Sequence, residues 1–158
     1  MLKQFSLQSL MNLARHQNES ATRELGQRNK QQHDAQEKLG MLERFRSDYQ
    51  TRLQAASQSG MDPAELRNFQ EFINKLDEAI AQQGKVVAQS KISVQAGRGE
   101  FDSTQRKLKS FSTLQQRHLE AHKKTEAKSE QRALDEHTGR IAARRMAEDQ
   151  HDEPGETT

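Results

Sequence analysis

Gln58-Ser59-Gly60-Met61-Asp62-Pro63-Ala64-Glu65 reads as a helix stop followed at once by a helix start. Gly60 tolerates the left-handed backbone that closes a helix. Asp62 is a good N-cap, Pro63 suits the first helical position, and Glu65 stands where a capping box places its acid. Stop, cap and start lie so close together that the chain must turn back on itself. Two helices joined by such a turn run antiparallel.

C-terminal to the turn, Leu66, Ile73, Ile80, Val87, Val94, Phe101 and Leu108 recur at seven-residue spacing, and all are apolar. Their companion column is Phe69, Leu76, Gln83, Ser90, Gly97, Thr104 and Phe111, large and apolar only towards its ends. This three-four alternation is the pattern of a coiled-coil seam. Gly97 and Gly99 fall inside the pattern and are expected to weaken or bend the helix. N-terminal to the turn, Ala35, Leu39, Leu42, Phe45, Tyr49, Leu53 and Ala56 form a weaker stripe. It continues backwards through Gln32, Arg28, Leu25, Ala21, Ala14 and Leu10, turning polar near Arg28 and Gln32. Pairing residues whose numbers add to about 122 sets Leu53 against Phe69, Tyr49 against Ile73, Leu42 against Ile80 and Ala35 against Val87, and meets polar Gln32 with polar Ser90.

Composition agrees with helices and little else. Of 158 residues, 31% are hydrophobic, 4% aromatic and 30% charged, with two Pro and no Cys. A compact globular domain carries about 45–50% apolar residues, so this chain cannot fill such a core. Good helix formers dominate it. It has no apolar run near the ~18 residues of a membrane span, and its first residues lack the apolar core and cleavage site of a signal peptide. Without Cys there are no disulfides, thiolate metal sites or thiol nucleophiles.

The expected fold is therefore all-α: a long antiparallel two-helix coiled coil, or helical hairpin, with a protruding C-terminal helix and a disordered acidic tail. Helix one is expected over about 6–57, the turn over 58–63 and helix two over about 64–147. Residues 1–147 make up the hairpin domain, and 148–158 the tail. The tail holds five acids, no bases, Pro154 and Gly155, a composition that favours disorder. The net charge is +2 overall, so the part before the tail is strongly basic. Its bases cluster at Arg106-Lys107-Lys109, Lys123-Lys124-Lys128 and Arg140-Arg144-Arg145, runs that usually mark a solvated helix face.

No catalytic motif stands out. Gly97-Arg98-Gly99-Glu100 lies within a helix and lacks the Lys-Ser/Thr pair of a phosphate-binding loop. His118, His122 and Glu126 share a face at i, i+4 spacing, but no second motif completes a metal site. A two-helix coiled coil has no concave pocket for a substrate, so an enzyme is not expected, nor a cofactor or a metal. Aromatic residues are not interleaved with the basic clusters, which denies a single-strand nucleic-acid binder its stacking platform. The informative excess is apolar. Phe72 and Ala79 lie beside the seam on helix two, and Met41 and Phe45 on helix one. Two helices cannot cover all of them. They make either a broad core with the rings lying flat, or a partner-binding patch on one flank.

Several stretches resemble the FliJ family of flagellar export proteins. They are Leu7-x2-Leu10-x2-Leu13-Ala14, Leu39-Gly40-Met41-Leu42 with Tyr49, the run Phe69-Gln70-Glu71-Phe72-Ile73-x2-Leu76-x2-Ala79-Ile80, and the basic helix ending near Arg144. The resemblance implies a soluble, cytoplasmic component of the flagellar type III export apparatus. Such a component is a stalk-like coiled coil that promotes ring assembly of the export ATPase FliI, contacts the export gate protein FlhA and escorts export chaperones. It serves flagellum assembly and motility, binds no specific nucleic acid, and meets the inner membrane only through the apparatus at the flagellar base. The family's gate-binding pattern on the first helix, Gln-x3-Leu-x2-Tyr-x3-Tyr, falls here on Lys38, Leu42, Phe45 and Tyr49. On the second helix Phe-x3-Leu-x2-Ala-x3-His falls on Phe72, Leu76, Ala79 and Gln83. Lys38 and Gln83 depart from the pattern, and Phe45 keeps the ring of its Tyr but not the hydroxyl, so the resemblance implies gate binding by Leu42, Phe45, Tyr49, Phe72, Leu76 and Ala79. The equivalent stalk of a virulence injectisome and a generic coiled-coil scaffold or weak nucleic-acid binder are the alternative readings.

Overall fold

The computed structural model describes residues 5–150. Two long helices, α1 (Gln8–Gln58) and α2 (Pro63–Asp149), account for nearly all of them, with no strand among the described residues. The turn forms where expected and closes through its backbone, while among the described residues the Asp62 and Glu65 side chains do not make the hydrogen bonds of a capping box. The Ser59 amide donates to the Ala55 carbonyl at 3.3 Å, Gly60 takes φ 84°, and the Asp62 carbonyl receives the Leu66 amide at 3.1 Å, which makes Pro63 the first helical residue. A positive φ costs any residue with a Cβ, so glycine is the natural occupant of position 60.

Contacts divide the chain into two units, Leu10–Lys109 and a second formed by the stretches flanking it. Within Leu10–Lys109 the helices pack as an antiparallel hairpin. The Asn18 amide donates to Thr104 Oγ1 at 3.2 Å, Arg46 pairs with Asp77, and the Tyr49 ring lies 4.3 Å from that of Phe72. These partners add to about 122, the register that aligns the two stripes. Both seven-residue columns of α2 are shielded from Phe69 to Leu108, and Leu66 beside the turn is half exposed.

On α1 the seam departs from the expected stripe at two places. Arg46 rather than Phe45 continues it from Leu42 to Tyr49, and Met11 rather than Leu10 continues it beyond Ala14. Met11 is 5% exposed, Leu10 48%. The reason is geometric. A strict seven-residue repeat runs through Met11, Asn18, Leu25, Gln32, Leu39, Arg46 and Leu53, and through Ala14, Ala21, Arg28, Ala35, Leu42, Tyr49 and Ala56. It admits Arg46 because the aliphatic stem lies along the seam while the guanidinium escapes to Asp77.

Several seam positions away from the turn are small: Ala14, Ala21 and Ala35 of α1 are buried, as are Val87, Val94 and Gly97 of α2. Close approach lets side chains reach the opposite backbone. Gln83 Nε2 donates to the Ala35 carbonyl at 2.9 Å, and Arg28 Nη1 to the Ser93 carbonyl at 2.9 Å, while Arg28 Nη2 pairs with Glu24 at 2.8 Å. Gly97, expected as a weak point, lies against the side chains of Leu25 and Arg28. A Cβ there would stand 3.0 Å from Arg28 Cδ and 3.3 Å from Leu25 Cδ1. α2 runs through Gly97 and Gly99 without a break. Gln32 and Ser90 are both half-buried, and the Ser90 hydroxyl turns back to the Val87 carbonyl at 2.7 Å.

In the second unit the Phe5 ring lies 5.6 Å from that of His118, and Gln115 Nε2 donates to Gln8 Oε1 at 3.3 Å. From Lys123 to Gln150 every residue is exposed. α2 ends at Asp149, two residues into the segment expected as an acidic tail, and residues 151–158 of that segment lie outside the described ones.

Candidate functional site

A seam two columns wide leaves two flanks along the hairpin, and they differ. On one flank α1 presents Gln36, Glu43 and Gln50, and α2 presents Gln70, Asp77 and Gly84, all but Gly84 exposed. This polar flank holds the Arg46–Asp77 pair. Arg46 Nη2 lies 3.5 Å from Asp77 Oδ2 and Arg46 Nη1 donates to Gln50 at 2.9 Å. The hydrogen bond that Arg46 donates to Asp77, and the negative charge of Asp77, raise the guanidinium pKa further above its ordinary value.

The opposite flank is apolar near the turn. Its positions beside the seam are Lys38, Phe45 and Arg52 on α1, and Phe72, Ala79 and Val86 on α2. Phe45 is 48% exposed and Phe72 41%, with Met41 and Val86 similarly open. Tyr49 ties this flank to the seam. Its ring is tilted by 37° against Phe72 and lies 6.3 Å from Phe69, and the Arg52 guanidinium sits 5.5 Å from its centroid. Further from the turn the same flank opens into a shallow groove lined by Gln31, Ala35, Val86, Ser90 and Ser93.

The six residues singled out in the sequence therefore occupy different depths. Phe45 and Phe72 are exposed, Leu42, Tyr49 and Ala79 are half-buried, and Leu76 is a seam residue 8% exposed. Phe72 and Tyr49 are in direct ring contact. The expectation of a surplus apolar surface on the flank holds for Met41, Phe45 and Phe72. Val86 and Arg52 escaped the sequence reading. Val86 follows Phe72 and Ala79 at the same seven-residue spacing, which is the signal that could have found it.

The histidine face of α2 is arranged as a surface. His118 packs on Phe5, and His122 Nδ1 is 3.5 Å from Glu126. No group of three or more His, Cys, Asp or Glu side chains converges among the described residues. Among them, too, no helix is long and apolar enough to cross a membrane.

The profile of the family described as "Flagellar FliJ protein" matches residues 3–147. The chain belongs to the FliJ family. The flagellar FliJ protein of Escherichia coli (strain K12) is 29% identical over 140 residues, covering 89% of this chain and 95% of the relative. The flagellar FliJ protein of Salmonella typhi is 28% identical over the same length and coverage. The FliJ family assigns the chain to the flagellar export apparatus, as a component of that assembly.

Proposed function

We propose that this chain is a stalk-like adaptor of flagellar type III export. It promotes ring assembly of the export ATPase FliI, couples the ring to the export gate protein FlhA and escorts export chaperones. It works at the cytoplasmic face of the inner membrane, at the flagellar base, through protein contacts and without catalysis of its own. The gate docks on the apolar flank formed by Leu42, Phe45, Tyr49, Phe72, Leu76 and Ala79. One observation carries this reading: of the residues aligned with the family's gate-binding pattern, Phe45 and Phe72 stay open to solvent on the same flank, beside Ala79. Leu76 contributes from the seam by holding α2 at the depth that leaves Phe72 exposed and Ala79 half-buried.

Phe72→Asp tests the reading. A single aromatic anchor at the centre of an interface is worth about 2 kcal/mol or more, a loss of about thirtyfold in affinity. The variant is expected to stay helical, lose binding to the cytoplasmic domain of the gate protein and lose motility, yet still stimulate the ATPase. Unchanged binding and motility in a folded Phe72→Asp protein would sink the docking assignment. The ring-assembly part is checked by ATP hydrolysis and sizing of the cognate ATPase, with and without this chain. Absence of both stimulation and a shift towards the ring would remove it.

A further inference from the structure

The apolar flank has a charged border. Between residues 38 and 52 of α1 and 72 and 86 of α2, its inner and outer rows carry Lys38, Arg52 and Lys75 against the single acid Asp48. All four are exposed. Among the described residues Lys38 and Lys75 form no ion pair, and the Arg52 guanidinium lies over the Tyr49 ring beside Phe72, 5.5 Å from the centroid. The polar flank has the reverse balance, with Glu43 and Asp77 at its border and Arg46 drawn into Asp77. The hairpin is thus asymmetric in two properties at once: one flank is both apolar and basic, the other polar and acidic.

We infer that the partner surface received by Phe45 and Phe72 is apolar at its centre and ringed by carboxylates, which Lys38, Arg52 and Lys75 meet. This rests on the docking reading above and adds the chemistry of the partner to it. Charges at the rim of an interface are solvent-exposed and add little to affinity once the complex has formed. They act earlier, by steering the encounter, so their mark is a fast association rate that falls with salt. The central rings act later, by excluding water, so their mark is slow dissociation. Lys38 stands where the family pattern has Gln, so its charge is a departure from that pattern. It extends the basic border along α1 to Val86 of α2, beyond the six patterned residues.

The test separates rim from centre. Association and dissociation of the full chain with the cytoplasmic domain of its gate protein are followed across a salt series. Three proteins are compared: the unaltered chain, the triple variant Lys38→Glu, Arg52→Glu and Lys75→Glu, and Phe72→Asp. The three rim positions are exposed, so helicity and melting point serve as controls for folding. The triple variant is expected to associate about tenfold more slowly at low salt, to lose the salt dependence of that rate, and to dissociate within about twofold of the unaltered chain. Arg52→Lys is expected to retain the fast rate, because steering needs the charge and not the planar group. Unchanged association in the triple variant, with binding lost in Phe72→Asp, overturns the carboxylate ring and leaves the docking flank standing. Faster association overturns it as well, since the partner's border would then be basic. If Phe72→Asp binds normally, the flank is not the docking face and both fall.

Discussion

Gly97 shows how a residue that weakens a helix by itself can strengthen a pair of helices. Glycine costs about 1 kcal/mol relative to alanine in a helix interior. At position 97 that cost is offset because α1 lies where a side chain would be, with Arg28 Cδ 3.0 Å and Leu25 Cδ1 3.3 Å from a Cβ. Gly97→Leu should therefore destabilise the hairpin by about 1–3 kcal/mol, as overpacking of a tight seam does. Gly99 is the control, two residues away with nothing within 4 Å of its Cβ position. Gly99→Ala should raise stability by about 1 kcal/mol, or roughly 2–4 °C in Tm. Thermal melts followed by circular dichroism check both, and equal shifts in the two variants would contradict the close approach. Gln83 is the polar counterpart. Buried and bonded to the Ala35 carbonyl, it should lose about 1 kcal/mol on Gln83→Ala, read as a lower urea midpoint at constant slope.

At the scale of the helices, the decisive matter is which residues the seven-residue repeat carries into the seam. The sequence shows both stripes, the turn and the register, because hydrophobic spacing and cap chemistry are local. It does not show that Arg46 displaces Phe45. Hydrophobicity favours Phe45, while the strict repeat and the reach of a long side chain to Asp77 favour Arg46. That partner lies on the other helix and is close only after pairing. The Arg46–Asp77 pair is exposed on both sides, so a double-mutant cycle with Arg46→Ala and Asp77→Ala should give a small coupling that falls further with added salt. Protection of amides should also divide α2. Between Leu76 and Gly97 the seam positions of α2 are packed against α1, whereas every residue from Lys123 to Asp149 is exposed. Hydrogen exchange is expected to be markedly faster in the second stretch, because an unpacked helix opens locally at little cost. Uniform protection along α2 would contradict this.

For the molecule as a whole, an antiparallel hairpin closes its seam within one chain, and the absence of Cys makes this simple to check. Asn18→Cys with Thr104→Cys replaces a hydrogen-bonded cross-helix pair. Oxidation should give a fast-migrating monomer, whereas a covalent dimer would mean that the helices pair between chains. The sequence by itself determined the helical class, the turn, the antiparallel register and, through its resemblance, the flagellar export family. Each of these depends on local propensity or on a repeat that one strand of text displays. Only the tertiary structure decided which apolar residues remain outside. Phe45 and Phe72 face solvent while Leu76 is enclosed, although all three are apolar residues at helical spacing. Their depth depends on the rotation of each helix about its axis, and that rotation is set by how α1 and α2 fit together: Gly97 receiving Leu25 and Arg28, Gln83 reaching the Ala35 carbonyl, and Arg46 reaching Asp77 nearer the turn.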